Sequence, residues 1–205
     1  MAATRLRIDD IAWDRVEINK RFITGLFAGP APDRPGCIVH TSTPEFTPRE
    51  PPAGLTQRQK EVWGASEGAR SRPVEFDDSV PMIGTGAGTC AMATAFGCEE
   101  SNASGVYWVK PSITAPSQID SMKKPGIAAG KLGMILEQTR AYADYADERL
   151  PIKIMDFQSP FTTVEQIMGS ELFFTMPYDE PDRLKAIMSI VTDFAIDFFQ
   201  AQMKT

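Results

Sequence analysis

The clearest hydrophobic pattern in the chain lies near its end. Between Pro181 and Met203, the residues Leu184, Ile187, Met188, Val191, Phe194, Ala195, Phe198 and Phe199 recur at helical spacing and form one wide apolar stripe. Pro181 suits the first helical position, and Asp182 complements the positive end of the helix dipole. Such a Phe- and Met-rich stripe could serve a cofactor or a partner, but it reads as a core face, because amphipathic helices normally bury one. Weaker helical patterns run from Ile8 to Phe27 (ended by Gly29-Pro30), from Gln57 to Ala65, from Cys90 to Phe96, from about Gly126 to Asp147, and from Thr163 to Phe174.

Short apolar runs alternate with these helices. Cys37-Ile38-Val39-His40, Val80 to Ile83, and Pro151 to Phe157 are candidate buried strands, beginning near Gly36, Val80 and Pro151. Val106 to Val109 reads as a short strand or an edge piece, and the proline-rich stretch from Pro44 to Gly54 as a loop. Strands alternating with helices imply parallel pairing through helical crossovers. An open doubly wound sheet and part of a (β/α)8 barrel both fit, although three strands are too few to complete either.

The chain has 205 residues, 42% hydrophobic and 23% charged, with a net charge of -6. That acidic balance argues against a nucleic-acid partner, whose phosphates require clustered Lys and Arg. The first ten residues hold Arg5, Arg7, Asp9 and Asp10 and no signal-like apolar run. No stretch approaches the roughly 18 apolar residues of a membrane span, so no membrane association is expected. Three cysteines, Cys37, Cys90 and Cys98, are too far apart in sequence for a zinc knuckle and too few for a disulfide framework. They read as small buried apolar residues of a cytoplasmic protein.

In parallel α/β folds, ligands bind beyond the carboxyl ends of the strands. That rule selects His40 to Ser42, Gly84 to Thr89, and Phe157 to Thr163. The Gly84-Thr85-Gly86-Ala87-Gly88 loop permits close backbone approach to a ligand, or serves as a tight strand-to-helix turn. It is neither a dinucleotide fingerprint, since Thr89 stands where the third glycine would be, nor a Walker loop. His40, the one histidine, reads either as a hydrogen-bonded structural residue or as an acid, base or ligand contact. Ser159 has no local histidine base and no nucleophile elbow, so hydrolysis is unsupported, and Thr162 or Thr163 would cap the helix that follows. Asp77-Asp78 and Glu99-Glu100 are adjacent in sequence, so their side chains diverge.

Phe157-Gln158-Ser159-Pro160-Phe161-Thr162-Thr163-Val164-Glu165-Gln166-Ile167-Met168-Gly169 resembles the signature of the uroporphyrinogen decarboxylase-like family. Tyr178-Asp179-Glu180-Pro181-Asp182 with its long helix, Asp78-Ser79-Val80-Pro81, Ala95-Phe96-Gly97, Trp108, Trp13-Asp14-Arg15-Val16 and Asp33-Arg34-Pro35 are similar to other parts of it. The resemblance implies an α/β chain forming the N-terminal portion of a (β/α)8 TIM-type barrel. Residues 1–34 would be a helical N-terminal extension and 35–205 the first part of the barrel, with the C-terminal half absent, since such barrels need about 250 residues. Family members decarboxylate uroporphyrinogen in porphyrin biosynthesis or move methyl groups to and from corrinoid carriers. The arginine-rich turn of the true decarboxylase is replaced here by His40-Thr41-Ser42-Thr43-Pro44-Glu45-Phe46, and its Asp falls near Gly88 and its Tyr near Glu165 or Gln166. Methyl transfer is therefore the expected branch, with a small molecule or a corrinoid protein as substrate.

The pocket candidates are His40, Gly86, Gln158 and Ser159. No cofactor is expected within this chain; zinc, which the methyltransferase branch binds through His-x-Cys and a later Cys, would belong to the absent half. The rival reading is a non-catalytic half-barrel that binds a ligand or a partner. A half-barrel leaves unpaired N–H and C=O groups along the third strand, an edge available for self-association. Light scattering coupled to gel filtration should therefore show dimers or larger species, and a monodisperse, cooperatively unfolding monomer would refute the open edge.

Overall fold

A computed structural model describes residues 5–30, 33–38, 46–71, 77–103 and 106–205. In chain order its elements are α1 (Trp13–Ala28), α2 (Gln57–Arg70), β1 (Ile83–Gly84), α3 (Ala91–Thr94), β2 (Glu99–Ala103), β3 (Val106–Lys110), a 3-10 turn (Pro116–Ser121), α4 (Leu132–Tyr145), β4 (Ile152–Lys153), α5 (Pro160–Met168), α6 (Ser170–Asp179) and α7 (Pro181–Met203). The fold is mixed α/β and mostly helical. Two compact units share the chain: Met1–Gly84 with Ala141–Lys153, and Thr85–Arg140 with Ile154–Thr205.

In the first unit β1 and β4 pair in parallel, Ile83 beside Ile152 and Gly84 beside Lys153. They fall at the expected second and third strands and run in the expected direction, but each is two residues long and only Ile83 is buried, against the expectation of buried strands over Val80 to Ile83 and Pro151 to Phe157. Ile83 packs with Ile8, Val16, Val62, Tyr142 and Leu150 in one apolar core. The expected first strand is not seen in its described part. Cys37 is exposed and Ile38 is 53% exposed. The physical reason is a clip to Asp78: its carboxylate accepts the Cys37 N–H at 2.9 Å, and its own N–H donates to the Cys37 carbonyl at 2.8 Å, so no ladder partner is needed. Val39 and His40 lie outside the described residues.

The first helix begins at Trp13 rather than Ile8. Upstream, Leu6 N–H donates to the Tyr145 carbonyl at 2.7 Å and Ile8 N–H to the Asp147 carboxylate at 2.9 Å, which holds this stretch extended. Helix α2 opens with a capping box in which Thr56 and Gln59 satisfy each other's N–H groups. It continues past the expected end at Ala65, because Glu67 and Arg70 in its last turns are tied into an ion network. The Glu67 carboxylate accepts from Arg49 at 2.7 Å and from Arg70 at 2.8 Å, and the Arg49 backbone N–H also donates to it. Trp63 Nε1 donates to the Arg49 carbonyl at 3.0 Å, so the proline-rich loop is pinned to this helix.

The second unit is built on α7. Its stripe divides between two clusters: Ile187 and Val191 pack with Val164, Ile167, Phe173 and Met176, while Phe194, Ala195 and Phe198 pack with Ala87, Met92, Leu132, Ile135 and Met155. At its end the buried Gln202 accepts the Met155 N–H at 3.0 Å and donates to Thr139 Oγ1 at 3.0 Å. Strands β2 and β3 form an antiparallel hairpin in register Glu99 to Lys110. The expected single helix from Thr163 to Phe174 is two helices. Gly169, at φ 77° and with a missing Cβ only 3.1 Å from Pro111 Cγ, breaks it into α5 and α6.

Three carboxylates of the first unit should govern acid stability. Burial opposes the charge of Glu67, but Arg70 and Arg49 outweigh it and hold its pKa at about 2, below the ordinary 4.5. Asp147 is lowered to about 2 in the same way, with Arg149 and the Ile8 N–H outweighing burial, and Asp78 to about 2 by Arg34 and the Cys37 N–H. Because the folded pKa values lie below the unfolded ones, the unfolded chain binds more protons as pH falls. The stabilisation is therefore whole above about pH 4.5 and should be lost progressively toward about pH 2. Urea midpoints across this window should fall for the native chain and fall less for Glu67→Gln; a flat profile would refute the assignment.

Candidate functional site

The carboxyl ends of β1 and β4 lead into two segments of the second unit, 85–89 and 154–159. The structure brings these segments to one cluster. Ala87 of the glycine loop packs with Met155, Phe194 and Phe198, and Phe157 joins them at the edge. Phe157 also meets the Phe199 ring edge-on at 4.3 Å. Gly86 thus adjoins the buried Ala87 on one segment, and Gln158 and Ser159 follow the partly buried Phe157 on the other. His40, the fourth candidate, lies outside the described residues.

Gly86 is exposed, with nothing within 4 Å of where a Cβ would stand. Gly88, at φ 76°, makes the loop's left-handed turn against the Tyr107 ring. The Thr85 hydroxyl is buried without a hydrogen-bond partner. Gln158 is half-buried, and its amide bonds to no other described residue. Ser159 Oγ accepts the Thr162 N–H at 3.2 Å and so caps α5, with Pro160 at the first helical position. The cap therefore sits three residues before Thr162 and four before Thr163, the expected candidates. The rim presents a hydroxyl, an amide and open backbone, while Asp156 is exposed beside them. Neither described segment, Thr85-Gly86-Ala87-Gly88-Thr89 nor Ile154-Met155-Asp156-Phe157-Gln158-Ser159, contains a Lys or Arg.

Sequence reasoning missed a polar group nearby in the chain fold. Cys90, at the end of the glycine loop, donates its thiol proton to the Tyr107 carbonyl at 3.6 Å, and Gln166 of α5 donates Nε2–H to the sulfur at 3.6 Å. Lys131 pairs with Glu100 and stands 5.6 Å from the Tyr107 ring centroid. Partners separated by 76 residues leave no periodic trace. Glu100 could have been found only by recognising β2, whose Glu-Glu-Ser-Asn-Ala sequence has no apolar alternation.

The cysteines do not suit zinc. Cys37 is exposed, against the expectation of a buried residue, because its backbone is clipped to Asp78 at the surface. Cys90 and Cys98 are buried as expected. Burial pushes the Cys98 thiol up, away from the thiolate a metal needs, although Ser112 partly offsets this. Among the described residues no three His, Cys, Asp or Glu side chains converge. No helix among them is long and apolar enough to cross a membrane.

The profile of the uroporphyrinogen decarboxylase (URO-D) family matches residues 76–205, and the chain belongs to that family. Among solved structures it is similar to a methyltransferase from Methanosarcina mazei, with a TM-score of 0.58 and 16% identity over 91% of this chain and 56% of that one. The chain thus spans little more than half the length of that enzyme, and at this identity the likeness concerns the fold. No curated protein sequence matches.

The two glycines of the loop separate its two readings. Gly86→Ala meets no atom and no positive φ, so the thermal midpoint should stay or rise slightly while any ligand approach is blocked. Gly88→Ala forces a side chain into left-handed backbone and should cost about 1–2 kcal/mol. Equal loss of stability in both variants would show the loop to be a structural turn throughout.

Proposed function

We propose that this chain is the N-terminal portion of a (β/α)8 enzyme that transfers methyl groups to or from a corrinoid carrier in the cytoplasm. In this reading residues 1–34, which carry α1, are an extension, and 35–205 are the first part of the barrel. The observation that carries this reading is the scarcity of cations at the rim: Lys153 closes β4, Asp156 follows it with a negative charge, and the two segments beyond the strands hold no Lys or Arg. Uroporphyrinogen brings eight carboxylates, which demand Arg or Lys partners, and segments 85–89 and 154–159 offer none. A methyl group is neutral and small, and its transfer calls for orientation and exclusion of water rather than charge pairing. Family membership and the fold likeness to a methyltransferase support the same choice.

In this reading Gly86 lets a ligand reach the loop backbone, while the Gln158 amide and the Thr85 hydroxyl supply hydrogen bonds at its edge. Ser159 holds the segment in place by capping α5.

Two assays test the proposal. Under anaerobic conditions the chain should release no carbon dioxide from uroporphyrinogen above a no-enzyme control. Supplied with the remaining strands of a barrel of this branch and a thiol, it should demethylate methylcobalamin, seen as the visible spectrum of the reduced corrinoid. Decarboxylation in the first assay, or an unchanged spectrum in the second with a folded complex, would overturn it.

A further inference from the structure

Two helices of the second unit carry aromatic side chains on their outward faces. In α6 the buried Phe173 and Met176 join the core, whereas Phe174 is 62% and Tyr178 88% exposed. Phe161, at the start of α5, is 54% exposed. These residues are joined rather than scattered. The Phe161 and Phe174 rings both meet the Phe173 ring edge-on, with centroids 4.6 and 5.3 Å away, and Tyr178 follows Phe174 by one helical turn. We propose that this face of α5 and α6 docks a basic, amphipathic segment of a partner protein, independently of the rim reading above.

Contiguity is the first reason. Single exposed apolar residues are ordinary on a protein surface, but a joined patch of large ones marks an interaction site. Aromatic side chains are also those that interfaces favour at their centres.

Charge identifies the partner. From Pro160 to Asp179 the two helices hold Glu165, Glu171 and Asp179 and no Lys, Arg or His. Glu171 precedes Phe174 by three residues and Tyr178 by seven, so it shares their stripe. Glu165 is held by the Ser170 hydroxyl, but Glu171 and Asp179 form no ion pair among the described residues. Lysine or arginine on a partner would meet these carboxylates, and such cations also favour the open faces of Phe174 and Tyr178. Aliphatic side chains between them would cover the rings. The same carboxylates disfavour other occupants: a second copy docking through this face would bring like charge, as would nucleic acid or an anionic lipid surface.

Fluorescence anisotropy of the whole chain with a labelled amphipathic helical peptide of Leu and Lys, and with its Leu and Glu counterpart, tests the proposal. At about 0.15 M salt, where distant surface charges are screened, the lysine peptide should bind about tenfold more tightly than the glutamate one. Phe174→Ser and Tyr178→Ser should each weaken the lysine peptide about fivefold or more, the loss expected of a central interface aromatic. Glu171→Lys should weaken it and strengthen the glutamate peptide, while Asp193→Lys, an equal change of charge at an exposed position of α7, should alter neither. Unchanged thermal midpoints would show that the variants fold; should Phe174→Ser unfold, the almost wholly exposed Tyr178 still decides. Equal affinity for the two peptides, or equal effects of Glu171→Lys and Asp193→Lys, would overturn the assignment. So would a dimer that is lost in Tyr178→Ser, or capture of the chain by vesicles of phosphatidylcholine and phosphatidylserine, since each names a different occupant.

Discussion

One helix face organises the second unit. The apolar stripe of α7 is continuous, yet its two halves serve different clusters: Ile187 and Val191 hold α5 and α6, while Phe194 and Phe198 hold the glycine loop, α3 and α4. Burying a side chain of this size contributes roughly 1.5–3 kcal/mol, so the stripe matters on the scale of a domain's net stability. Gln202 extends this control by polar means. It fixes the Met155 N–H and, through Thr139, the Ile135 carbonyl. The segment after β4 is therefore held both by packing on Phe198 and by a buried amide, and Gln158 and Ser159 inherit their positions from it.

That dependence explains which features were legible in the sequence. Helix α7 was readable almost to the residue, because Pro181 starts it and its period is unbroken. The parallel pair β1 and β4 was readable as two apolar runs, although the ladder is only two residues long in each. Features decided by distant partners were not readable. Ile8 looks like the start of a helix, but its N–H goes to Asp147, 139 residues away. Cys37-Ile38 looks like a buried strand, but Asp78 captures its backbone from 41 residues away. Strand β2 is polar throughout and is defined by its β3 partner. Of the candidate site, the glycine loop and the Gln158-Ser159 turn were legible through the strand-end rule; Cys90, Gln166, Glu100 and Lys131 were not, since only folding assembles them.

The disposition of charge bears on function more directly than any single residue. In the first unit arginines are committed to buried carboxylates: Arg34 to Asp78, Arg49 and Arg70 to Glu67, and Arg149 to Asp147. Each carboxylate has its pKa held near 2, which shows how fully its partner is engaged. Withdrawing one of these guanidinium groups to grip a ligand would remove a hydrogen-bonded partner from a buried carboxylate, which opposes such a use. These four arginines thus serve the architecture of their own unit.

At the ends of the parallel pair the one Lys or Arg among the described residues is Lys153, the last residue of β4. Gly84 is the last residue of β1, and Thr85-Gly86-Ala87-Gly88-Thr89 follows with no charge at all. Beyond β4, Asp156 adds an exposed carboxylate, which would repel an acidic porphyrin precursor. A loop of this kind favours a ligand that is read by shape and hydrogen bonds. Family membership sets the scaffold, and the choice among the chemistries it supports rests with the residues at the strand ends.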